Sequence, residues 1–110
     1  MDDELSELVP VFVGEARERL QRLVDLIPAL PGDAAALAEA KRELHTLKGA
    51  GRMMAITAFA ELCHAAEEVV LARPERMRVL LTAAHDALAA QVDALELGEP
   101  VERDPNLLAA

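Results

Sequence analysis

The chain has 110 residues, 53% of them apolar but only 2% aromatic, and carries a net charge of −9. That length suits one domain with a real core, and the acidic balance argues against nucleic acid or an anionic membrane as partner. No stretch approaches 18 uncharged apolar residues and no apolar run follows a basic amino-terminal segment, so neither a membrane span nor a signal peptide is expected, and the default location is cytoplasmic.

The predicted elements follow in order. Asp2, Asp3 and Glu4 place acids at a helix start, where the macrodipole favours them. Leu5, Leu8, Phe12, Ala16, Leu20, Leu23 and Ile27 then step by threes and fours across Pro10. Proline inside a helix costs ~3 kcal/mol. The expectation is therefore a short helix before Pro10, kinked or broken there, leading into a longer one to about Leu26. Pro28 to Gly32 is a break, and Asp33 is an N-cap for a second helix running to Met53 or Met54. Thr57 is the next N-cap candidate, with Phe59, Leu62, Ala66, Val69 and Val70 on the core face of a third helix. Arg73-Pro74 makes a corner into a fourth helix, on which Met77, Leu81, Ala84, Leu88, Val92 and Leu95 run to a C-cap at Gly98. Short loops make neighbours antiparallel, so the fold class is all-α, an up-down four-helix bundle over residues 1–98. Residues 99–110 hold two prolines and mixed charge without periodicity, and read as a linker or disordered tail.

The second helix carries the unusual chemistry. At about 100° per residue, Leu37, Ala40, Leu44, Leu47, Gly51 and Met54 share a core-facing stripe, and Lys41, His45, Lys48 and Arg52 form a second stripe beside it. A histidine at the edge of the buried face thus has cations one turn away on each side. They disfavour a further positive charge on the ring and favour an anionic group placed on it. Gly49 and Gly51 each cost about 0.8–1.0 kcal/mol in a helix interior. Close packing against a neighbour accounts for Gly51, which is on the core stripe. Gly49 stands off that stripe beside the histidine, which suggests that something approaches the backbone there.

The run His45-Thr46-Leu47-Lys48-Gly49-Ala50 resembles the His-x-x-Lys-Gly motif of histidine-containing phosphotransfer (HPt) domains. The closest likeness is to the amino-terminal domain of CheA-type chemotaxis kinases and the related kinases of twitching motility. His64 and Glu67, one turn apart, resemble the histidine and glutamate that this branch places on the next helix. The resemblance covers about Leu5 to Leu97. It implies that His45 carries a phosphoryl group, Lys48 neutralises it, and Gly49 lets a partner dock, with Lys41 and Arg52 as flanking docking cations. Glu67 would orient His45 through Nδ1, and His64 would complete a quartet. The implied partners are a histidine kinase catalytic domain and a response-regulator receiver domain. ATP and Mg²⁺ would belong to those partners, with no cofactor in this domain. Nothing resembles a Gly-rich nucleotide loop, so the domain would be substrate and carrier, with no catalytic activity alone.

Two other readings are open. One is a protein-interaction bundle with a degenerate site. The other is a metal-binding bundle using His45, His64 and Glu67 near Cys63, against which Lys48 would repel a cation. Elsewhere, His85 reads as a surface residue, Met53 and Met54 as core filling, and Cys63 as a small buried side chain. Arg17, Arg19 and Arg22 among Glu15, Glu18 and Asp25 read as a solvated face.

Overall fold

In a computed structural model the structure describes residues 3–108; Asp2, expected in the opening acidic turn, and the last two tail residues lie outside them. Four helices make the fold: α1 (Asp3–Leu26), α2 (Ala34–Met53), α3 (Thr57–Ala72) and α4 (Met77–Glu96). Short 3-10 turns at Ile27–Ala29 and Pro74–Arg76 follow α1 and precede α4. Each helix packs on its neighbours in chain order, and α4 closes the ring on α1. The expected four-helix bundle is the fold.

The core explains the closeness of the helices. Ala16, Ala40, Ala66 and Ala84, one from each helix, are all within 1% of full burial, and such small side chains let axes approach. Leu23, Leu44, Leu62, Leu81 and Leu88 fill the layers between them. Phe12 and Phe59 meet across the core edge to face, with centroids 5.3 Å apart and planes at 78°.

The break expected at Pro10 is absent: α1 runs through it as one helix. Proline removes one backbone donor there, but Phe12, Val13, Ala16, Leu20 and Leu23 beyond it bury on the core, with Leu5 and Val9 packed beside them. Burial on both sides of one lost bond keeps the helix continuous. Asp33 caps α2 as expected, its carboxylate accepting from the Ala36 amide at 3.0 Å. The α3 cap falls on Ile56, one residue before Thr57.

The α2–α3 turn sets the site's frame. Ala55 takes φ 58°, and the Ile56 and Ala55 amides donate back to the carbonyls of Gly51 at 2.9 Å and Arg52 at 3.0 Å. This is a Schellman closure with alanine where glycine is usual. It reverses the chain tightly, so α2 and α3 lie side by side. Gly51 makes that closeness possible: a Cβ there would stand 2.8 Å from Phe59 Cδ1 and 3.4 Å from the Ala60 amide nitrogen.

Three other expectations are corrected. Arg19 and Arg22 are not merely solvated, since they reach the buried Glu43 of α2 at 3.2 and 3.9 Å. Arg17 bridges to Asp93 and Glu96 of α4 at 2.8 and 2.9 Å. Met54 is in the core, but Met53 is 82% exposed, because it lies about 100° round the helix from the stripe that Met54 continues. The tail segment does not trail away. Val101, Leu107 and Leu108 pack on the core, Gln91 Nε2 donates to the Glu102 carbonyl at 3.0 Å, and Arg103 meets Glu61 at 3.4 Å.

Candidate functional site

Because α2 and α3 are held close by Gly51, side chains a turn or two further along face each other across the groove. His45 projects from α2 with its side chain 75% exposed. Glu67 on α3 stands opposite, its Oε2 3.7 Å from His45 Nδ1. The other carboxylate oxygen, Oε1, lies 2.8 Å from Lys48 Nζ. That contact is an ion pair without the angles of a directed hydrogen bond. One carboxylate thus bridges the histidine and the lysine. At 3.7 Å the histidine contact is longer than a hydrogen bond, yet its direction is set: the carboxylate faces Nδ1 and leaves Nε2 on the other side of the ring.

The expected quartet is a triad. His64 Nε2 pairs with Glu68 Oε1 at 3.0 Å, on its own helix. The reason is angular: residue i+4 lies about 40° round a helix from i, whereas i+3 lies about 60° away. Glu68 therefore sits nearer the azimuth of His64 than Glu67 does, and Glu67 is left to face α2. His64 instead lines a separate hollow with Arg52, Glu61 and Arg103. Arg52 is thus on the tail side of the site and away from His45.

A shallow hollow beside His45 is lined by Lys41, Arg42, Thr46, Glu67 and Leu71. Thr46 and Leu71 carry no motif signal. Leu71, 74% exposed, was visible in sequence only as the residue one turn after Glu67. Gly49 is exposed, and an added Cβ there would meet nothing within 4 Å, so the backbone of α2 is open to approach from outside. Cys63, fully buried, packs below this region; burial and the nearby Glu67 charge push its thiol up to about 12. Among the described residues no three His, Cys, Asp or Glu side chains converge as a metal site requires. Lys48, moreover, already occupies the carboxylate that a cation would need.

An accessible histidine faced by a carboxylate, with an open glycine one turn on, is an arrangement that suits a group carrier. A family model described as Hpt domain matches residues 7–98. The chain belongs to the Hpt domain family. Hpt domains exchange phosphoryl groups with kinases and response regulators in two-component signalling, so a phosphorelay carrier role comes with membership. A gliding motility regulatory protein of Myxococcus xanthus is 37% identical over 79 residues, covering 68% of this chain and 10% of that protein. The chain therefore spans about a tenth of the length of that relative. No solved structure matches the Hpt domain described here. No helix among its described residues is long and apolar enough to cross a membrane.

Proposed function

We propose that His45 is the phosphoacceptor of this Hpt domain, taking a phosphoryl group from a histidine kinase catalytic domain and passing it to a receiver aspartate. The observation that carries this reading is the Glu67 carboxylate facing Nδ1 of an otherwise exposed His45. A carboxylate there favours the proton on Nδ1, leaving the Nε2 lone pair free as nucleophile. Nε2 attacks the γ-phosphorus of ATP held by the kinase, the N–P bond forms, and the bond to the leaving ADP oxygen breaks. The ring keeps its Nδ1 proton and becomes an imidazolium, whose charge Glu67 offsets. In the second transfer a receiver carboxylate attacks phosphorus, the N–P bond breaks, and the ring returns to neutral. ATP is supplied by the kinase in the first step only, and Mg²⁺ would belong to the partner domains.

Lys48 holds Glu67 in place, and Gly49 gives the partner access to the ring along the helix. Arg52 offers a docking charge further along α2. A carrier between an ATP-dependent kinase and a receiver would work in the cytoplasm. The likeness to a motility regulator favours a chemotaxis-like pathway.

The test is labelling from ATP by a chemotaxis-type kinase catalytic domain, with wild type, His45→Gln and Glu67→Gln compared. Label that is lost in acid, stable in alkali and absent from His45→Gln is the expected result. Glu67→Gln should be labelled roughly tenfold or more slowly, the scale of losing the partner that orients a histidine. Equal labelling of all three proteins would sink the mechanism. No label on wild type, with the kinase competent on its own substrate, would favour an interaction bundle with a degenerate site.

A further inference from the structure

One leucine stands where the core does not use it. Leu71 is in the last turn of α3, one turn after Glu67, and is 74% exposed. It lines the hollow of about 400 Å³ beside His45, with Lys41, Arg42, Thr46 and Glu67. Of the large apolar side chains exposed among the described residues, Leu71 alone lines that hollow. A single exposed leucine is ordinary, but this one is placed at the reacting ring. Together with the Thr46 methyl and the aliphatic stems of Lys41 and Arg42, it gives the hollow an apolar wall. Lys41 is exposed, and no carboxylate among the described residues pairs with it. The surface beside His45 therefore offers an apolar wall and a free cation at once.

We infer that Leu71 is a specificity-determining contact for the receiver domain, which buries it when the phosphoryl group leaves His45. This rests on the carrier reading of His45 and adds which side chain the second partner covers. Reach separates the two partners. In the first transfer the phosphorus arrives on ATP, whose triphosphate chain stands between the ring and the kinase surface. In the second, the attacking oxygen belongs to the receiver's own aspartate, joined to its backbone by a single methylene. That oxygen must come within about 3–3.5 Å of phosphorus. The receiver surface is thus drawn down onto the residues flanking the ring, where the hollow lies. Its acceptor carboxylate also complements the unpaired Lys41 in charge. Leu71 then packs against an apolar side chain of the receiver. Cutting such a leucine back to alanine costs roughly tenfold in affinity.

The test follows the label through three steps in the full chain, comparing wild type, Leu71→Ala, Leu71→Met, Leu97→Ala and His45→Gln. Leu97 is the control: it is 70% exposed, but it caps α4 and lies outside the hollow. First, phosphoramidate labels the ring with no docking surface. Nε2 attacks its phosphorus, the donor P–N bond breaks, ammonia leaves with the electron pair, and the ring retains its Nδ1 proton. Second, a chemotaxis-type kinase catalytic domain labels the ring from ATP. Third, labelled protein is mixed with whichever of a panel of chemotaxis-type receiver domains drains wild type fastest. There the receiver carboxylate attacks phosphorus, and the electron pair of the N–P bond returns to Nε2. Leu71→Ala should match wild type in the first two steps. In the third, the receiver concentration giving half-maximal transfer should rise roughly tenfold with the maximal rate unchanged. Leu71→Met should restore it, and Leu97→Ala should have no effect. Wild-type transfer from Leu71→Ala would overturn the inference, as would a loss confined to the maximal rate or an equal loss from Leu97→Ala. An equal loss in kinase labelling would overturn it too, by assigning Leu71 to the kinase. A His45→Gln protein labelled equally well, or a labelled wild type that passes its label to no receiver, would overturn the carrier reading and this inference with it.

Discussion

Replacing Gly49 and Gly51 by alanine, one at a time, should move stability in opposite directions although the two residues are one apart on the same helix. Alanine favours helix over glycine by roughly 0.5–1 kcal/mol. At Gly49 nothing lies within 4 Å of the added Cβ, so that gain is kept whole. At Gly51 the new Cβ would stand 2.8 Å from Phe59 Cδ1. Phe59 cannot swing aside, because it is 1% exposed and its ring is locked against Phe12. Behind it, the Ala60 backbone at 3.4 Å leaves no second direction to yield. Overpacking of this kind costs typically 1–3 kcal/mol, which exceeds the helix gain. Urea unfolding should therefore show Gly49→Ala more stable by about 0.5–1 kcal/mol and Gly51→Ala less stable by up to about 2 kcal/mol. Phosphorylation by a kinase domain supplies the second readout. Gly49→Ala should be labelled more slowly than wild type despite its added stability, since the side chain stands where a partner approaches. If Gly51→Ala gains as much as Gly49→Ala, the close α2–α3 packing argued above is wrong. If Gly49→Ala gains stability with no loss of transfer rate, the open backbone at Gly49 has no docking role.

Two further outcomes are expected. The Cys63 thiol should resist a soluble thiol reagent in native protein at pH 8 and react once urea unfolds the chain, since burial and the Glu67 charge hold it protonated. The sign follows from linkage: with the folded value near 12 and the ordinary value 9.0, this contribution to stability is full below pH 9 and fades as pH rises toward 12. Rapid native-state modification at pH 8 would contradict that burial. Deleting residues 99–110 should lower the melting temperature by several degrees, because Val101, Leu107 and Leu108 leave the core surface and the nearly buried Gln91 loses its carbonyl partner. An unchanged melting temperature would restore the linker reading.

The helices that position the site were legible because their cause is local. Spacing of apolar residues, the Asp33 cap and the glycine stop act within a turn or two; Asp33 falls where the pattern put it, and α4 caps at Leu97, one residue before Gly98, whose φ of 73° turns the chain. The failure at Pro10 has the same origin seen from the other side. A local rule predicts a break, and burial of Phe12, Val13 and Ala16 against three other helices outweighs it. Met53 and Met54 are adjacent and chemically identical, and their place on the helix separates them: Met54 continues the core stripe of Leu47 and Gly51, and Met53 lies about 100° round from it.

At the site, the motif marked His45, Lys48 and Glu67 as candidates, and periodicity placed them on facing strips. The resemblance also set Glu67 against Nδ1 of His45, but it did not contain what holds Lys48 or where His64 turns. The sequence by itself determined four amphipathic helices, their antiparallel order, family membership and the presence of a histidine beside cations, because these rest on residue type and on spacing along one chain. Tertiary structure alone decided that the carboxylate facing His45 also holds Lys48, that His64 turns to Glu68, that Glu43 is buried against Arg19, and that no carboxylate among the described residues pairs with Lys41. Those outcomes depend on the distance and rotation between helices, which packing of Gly51 on Phe59 and the other close core contacts sets, and a competition among several carboxylates for a few cations is settled only once that geometry exists.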